Sequence, residues 1–178
     1  MPRRTLLSTL VCVLALGLVS SAEARTVERI FAGKVIITSK RAPMRFRSQG
    51  AFASWLRRNN KKHVWPANKK DKKWKFEFMA FFRRPLNDLE CKIKFFDVTE
   101  GKKFIAADSF YTPQRGQRIL ASNMTLEQPR FSIDRKYLMQ VISPRGNVLL
   151  ASTTFWLRGQ KEVYSGRVTF TDDEARLK

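Results

Sequence analysis

The chain has 178 residues, with 35 Lys or Arg against 15 Asp or Glu for a formal charge of +20, and 43 % hydrophobic residues including 14 phenylalanines. That apolar content is enough for a packed core and excludes global disorder, while the length is one domain's worth. Two cysteines and a single histidine exclude a disulfide-stapled mini-fold and a His-built metal centre.

In chain order, Arg3 and Arg4 precede an apolar run over residues 6–19, and Ala22-Glu23-Ala24 supplies the small-x-small pattern of a signal-peptidase site. The run is short against the roughly 20 residues of a bilayer-spanning helix. Residues 1–24 therefore read as a cleaved secretory signal peptide, leaving a mature chain without a transmembrane segment, periplasmic or extracellular. Cys12 lies mid-run and not at the cleavage point, so a lipoprotein anchor is excluded. Removing Arg3, Arg4 and Glu23 leaves 33 basic and 14 acidic residues, a charge of +19. Cys91 is then the sole cysteine, and its alternation with Ile93 and Phe95 points it into a core as an inert thiol.

Residues 25–73 read as an N-terminal extension of a strand, a short helix and a basic loop. The strand covers 33–39, either as the first strand of the following domain or as an added edge, and 44–47 is a second short extended piece beyond Pro43. Ser48 is placed to cap a helix whose Phe52, Trp55 and Leu56 share one face at i, i+3, i+4 spacing, with Asn59 and Asn60 ending it. So short a helix needs a surface to bury that face against. From Arg57 to Lys75 there are nine basic residues and one acid, Asp71, around His63, Trp65 and Trp74.

From Trp74 to Thr171 the period is two. Residues 74–82 place Trp74, Phe76, Phe78, Ala80 and Phe82 on one face, with Met79 and Phe81 on the other. Residues 84–88 read as a turn, and 90–98 alternate again. Gly101 marks a hairpin before 103–111, and Pro113 with Gly116 marks a loop before 118–126. Three further segments, 136–143, 148–157 and 163–171, bring the number to seven. The fold class is mainly all-β: an antiparallel immunoglobulin- or fibronectin-III-like β-sandwich over 74–171 with one short helix in the extension. Tyr137 opens a late strand where such sandwiches place a tyrosine that closes a corner. Residues 172–178 read as a polar tail.

Catalytic signatures are missing: there is no Ser-x-x-Lys, Gly-x-Ser-x-Gly or phosphate-binding glycine loop. A paired-carboxylate site would have to draw on Asp88, Glu90, Asp97, Glu100 or Asp108, all at strand ends and turns. No cofactor or metal is expected. The expectation is a non-catalytic binding module whose polyanion site is Arg57, Arg58, Lys61, Lys62, Trp65, Lys69, Lys70, Lys72 and Lys73. Its partners would be anionic: lipopolysaccharide, acidic polysaccharide, phospholipid or extracellular DNA. The other expectation is an envelope accessory or assembly subunit that contacts a protein partner, with the charge serving only solubility or location.

Overall fold

The computed structural model describes residues 26–66, 73–112 and 114–159. The signal segment, Lys69, Lys70, Lys72, the seventh segment at 163–171 and the tail lie outside the described residues.

Two sheets face each other. One has three strands in the order β1 (Val35–Thr38), β3 (Lys73–Leu86), β6 (Gln117–Glu127). The other runs β2 (His63–Val64), β8 (Val148–Leu157), β7 (Arg135–Ser143), β4 (Glu90–Asp97), β5 (Lys103–Tyr111). Among the described residues the strand pairings are antiparallel except β2 with β8, and a lone parallel bridge joins Lys34 to Ser152. The alternation in β3 turns Trp74, Phe76, Phe78 and Phe82 inward, where they meet Ile93, Phe95, Tyr137, Met139 and Phe155 of the facing sheet. The Phe76 and Phe155 rings meet at a tilt across the two sheets at 5.6 Å, and Phe78 meets Phe110 edge-on at 5.8 Å.

The opposite face of the three-stranded sheet is buried as well. Ile36, Met79 and Phe81 pack beneath Val27 of α1 (Val27–Ile30), Phe31, and Ala53 and Leu56 of α2 (Gln49–Asn59). Ser48 caps α2 as its position predicts, its Oγ accepting from the Ala51 amide at 3.1 Å. The helix has only 11 residues, too few to persist alone in water, so the sheet beneath it holds it in place. Being covered on both faces explains why all four residues of β1 are buried with no polar alternation. The buried Thr38 hydroxyl donates to the Lys40 carbonyl at 2.8 Å.

The sequence left open whether 33–39 joins the sandwich; β1 pairs with β3 from Val35–Ala80 to Thr38–Glu77. Three expectations are corrected. Among the described residues the extension carries two short helices and not one, because Val27–Ile30 is also helical, with Val27 buried against the sheet. Residues 44–47 form no strand, because the chain there is an exposed connection running to the α2 cap, with Met44 99 % exposed. Residues 84–86 are not a turn, because β3 continues through Pro85 to Leu86. The β3–β6 register jumps from Phe81–Ile119 to Leu86–Gln117, so Pro85 stands where the ladder is broken and its missing N–H costs no cross-strand bond.

Phe81 links the helices to the sheet, lying 5.4 Å from the Phe31 ring and 6.4 Å from Phe52, with no exposed surface. Phe81→Ala should therefore lower stability by about 3–5 kcal/mol in urea unfolding. A midpoint close to that of the parent would mean the helix layer is not part of the cooperative unit.

Candidate functional site

The basic stretch begins at the end of α2, where the Asn60 amide donates to Leu56 O at 3.0 Å and the Asn59 side chain to Trp55 O at 2.9 Å. Beyond it the chain is held by both sheets. The Lys61 amide donates to Ile37 O of β1 at 2.7 Å. On the other side, Lys62 O accepts from the Trp156 amide at 2.8 Å and Val64 O from the Arg158 amide at 2.9 Å. Val64 turns inward and is buried, which leaves His63 and Trp65 exposed on either side of it. The His63 ring accepts at Nδ1 from Arg158 Nε at 3.2 Å, while the Arg158 guanidinium lies 4.4 Å from the Trp156 ring centroid and pairs with Asp134 at 3.1 Å.

This anchoring opens a cleft of about 380 Å³ between the end of β1, the segment after α2, and β3. Ile37, Val64 and Phe76 give it an apolar base, and Lys61, Lys62, Lys75 and Trp65 supply amines and an indole around it. Among the described residues no acidic side chain lines it. Trp65 is 46 % exposed, so an aromatic face is offered to solvent beside three lysines.

Of the sequence-predicted site, the cleft brings together Lys61, Lys62 and Trp65 and adds Lys75. Arg57 and Arg58 are exposed in the last turn of α2 outside the lining, with the Arg57 guanidinium 6.0 Å from the Phe31 ring centroid. There they complement the negative end of the helix dipole, worth about 0.3–1 kcal/mol each. Lys73 is also outside the lining, paired with Glu127 at 2.8 Å. Trp74 belongs to the core, 1 % exposed, its indole N–H donating to Arg158 O at 2.9 Å. Nothing in the composition of the stretch announces β2; the only local sign is the single apolar Val64 between His63 and Trp65. Lys75 reads as a strand residue facing solvent, and only the fold turns it toward the cleft.

Four of the five carboxylates that a hydrolytic site would draw on, all but Asp108, have other partners. Asp97 and Glu100 converge on Arg135, at 3.7 and 3.1 Å, beside a polar depression of about 660 Å³ that also holds Lys102, Lys103 and Arg130. Asp97 also caps the Thr99 amide at 2.8 Å. Asp88 accepts from the Ser143 hydroxyl at 2.6 Å, and Glu90 from Ser109 at 2.7 Å. Among the described residues no three His, Cys, Asp or Glu side chains form a metal-binding group, and no helix is long and apolar enough to cross a membrane. No protein-family model matches this chain, and no curated protein matches it in sequence.

Cys91 has no exposed surface, and burial, with a smaller contribution from Glu90, pushes its thiol up to about 11. At neutral pH the thiolate that would attack a reagent is therefore scarce as well as shielded. In a Cys12→Ser background, the native protein at pH 8 should resist an aromatic disulfide reagent that labels the urea-unfolded chain fully. Rapid labelling without denaturant would contradict the buried placement.

Proposed function

We propose that this chain is an exported, non-catalytic β-sandwich module that binds anionic polymers through the cleft at Lys61, Lys62, Trp65 and Lys75. The observation that carries this reading is the lining itself: three lysines and a half-exposed tryptophan in one concavity, with no acidic side chain among the described residues that line it. The wider charge of the chain draws polyanions toward the protein and speeds encounter. At physiological salt the screening length is about 8 Å, so the close contacts fall to the lysines of the cleft. Lysine ammonium groups are strongly hydrated point charges, suited to diffuse attraction more than to geometric selection. Trp65 adds an apolar and stacking contact that charge alone does not give. Lipopolysaccharide, acidic polysaccharide, anionic phospholipid and extracellular DNA share the phosphate or carboxylate chemistry that such a site would take. Arg57, Arg58 and Lys73 stand outside its lining, and Lys69, Lys70 and Lys72 belong to the same basic stretch of sequence.

An immunoglobulin- or fibronectin-III-like architecture supports a binding role by analogy of fold. It is favoured by the split into three strands facing four plus the short β2. It is also favoured by Tyr137, whose buried hydroxyl accepts from the Ser132 amide at 2.8 Å, as a corner tyrosine would. Export follows from residues 1–24 as read in the sequence. A non-catalytic role is favoured because Asp97, Glu100, Asp88 and Glu90 are each held by a structural partner and Cys91 is buried.

The second reading, an accessory or assembly subunit, draws on β5. This strand ends the five-stranded sheet and carries Phe104 and Tyr111, which are 55 % and 77 % exposed. Against it, Asp108 stands opposite the buried Ile93 and so projects from the inward side of that edge, a common device against strand addition.

The two readings separate in a salt series with duplex DNA as the polyanion probe. Replacing Lys61, Lys62 and Lys75 with Gln should flatten the log–log slope of affinity against salt by about 2–3, close to one unit for each phosphate contact removed. An unchanged slope would remove the cleft as the site.

A further inference from the structure

The outward face of the five-stranded sheet carries a second set of groups that the cleft does not use. Cys91, Ile93 and Phe95 of β4 point fully inward, so Lys92, Lys94 and Phe96 point out. By the same alternation Tyr137, Met139 and Val141 of β7 turn in, leaving Lys136 and Leu138 outward. Cross-strand register then draws a line over four strands: Thr154 on β8, Leu138 on β7, Phe96 on β4 and Phe104 on β5. Trp156 and Lys136 form the adjacent row. The Phe96 and Phe104 rings meet edge-on at 5.7 Å, and Phe104 is more than half exposed. The helices cannot cover these side chains, because they pack on the other sheet.

Cations frame the line. Lys102 Nζ lies 4.5 Å from the Phe96 ring centroid, and Arg158 lies over Trp156. Lys92 and Lys94 are two residues apart on β4, about 6.8 Å along the strand. Among the described residues none of Lys92, Lys94, Lys102 or Lys136 forms an ion pair.

We infer that this face is a stacking platform for single-stranded nucleic acid. Bases lie on Phe96, Phe104 and Trp156, while the phosphates between them are met by the flanking lysines. An open sheet face bearing aromatic rings within a basic field suits this ligand because every base presents a π-face whatever its sequence. An acidic polysaccharide would satisfy the lysines equally. Gln140, Ser152 and Thr154 share this face, so the discriminating feature is the exposed Phe104 ring with Phe96 edge-on beside it, which suits a planar base. The platform goes beyond the cleft reading and shares no residue with it.

The test uses the full chain, a fluorescent 12-nucleotide oligo(dT), and inorganic polyphosphate as a polyanion without bases. Phe96→Leu with Phe104→Leu keeps apolar volume but removes the rings, and circular dichroism with a thermal melt checks that the fold persists. Oligo(dT) affinity should fall at least tenfold while polyphosphate affinity changes less than twofold. Cleft variants Lys61→Gln, Lys62→Gln and Lys75→Gln should leave that selective loss intact, so failure of the cleft reading and failure of the platform are separable. Equal losses for both probes, or no loss for oligo(dT), would overturn the proposal. So would alginate binding that depends on the two rings while oligo(dT) binding does not.

Discussion

The arrangement of charge on this protein depends on a seam of backbone hydrogen bonds along β8. Ser152 N bonds to Gly33 O, Trp156 N to Lys62 O and Arg158 N to Val64 O, at 3.0, 2.8 and 2.9 Å. Through them an N-terminal segment that begins in one sheet is fastened to the other. Gly33 can serve at the first bond because its φ of 78° is left-handed and costs glycine nothing. Without the seam, residues 61–65 would be a solvated lysine-rich connector, and the charge of the stretch would have no fixed shape. With it, the same residues become a wall, and the end of β1 and the start of β3 complete the concavity.

Much of the fold is legible in the chain because its signals are local. Period-two alternation in β3, β4 and β7 names the inward residues, and the Ser48 cap and the Phe52–Trp55–Leu56 face define α2. What the chain conceals is set by distant partners. β2 is two residues long, and its pairing joins His63 to Trp156, far beyond the reach of any periodicity. Pro85 resembles a turn signal and is instead a strand residue at a break in the ladder, a position decided by β6. Phe81 and Met79 are evidently apolar, yet only the packed helices reveal that the second face of β3 is also interior.

The candidate site divides in the same way. Lys61, Lys62 and Trp65 could be picked from composition, since a tryptophan within a run of lysines stands out. Lys75 could not be assigned, because its direction depends on where β3 lies relative to β2. Lys73 looks equivalent in sequence and differs in fact, having Glu127 beside it across the β3–β6 ladder. Phe96 and Phe104 show the same limit. An aromatic residue in a strand reads as core; alternation along β4 turns Phe96 outward, but Phe104 joins it only through the register shift between Phe95 and Phe96 in the pairing with β5. Exposed ion pairs such as Lys73–Glu127 add about 0–1 kcal/mol, so the acids contribute more by cancelling charge locally than by holding the fold. Among the described residues their distribution places no negative charge in the lining of the cleft.

Titration of the isotopically labelled full chain with inorganic polyphosphate, followed by two-dimensional NMR, tests the cleft most directly. The largest shift changes should fall on Lys61, Lys62, Lys75 and the Trp65 indole, saturating together with one binding constant. Changes confined to β5 residues such as Tyr111, or small changes spread evenly over the surface, would contradict a defined anion-binding cleft.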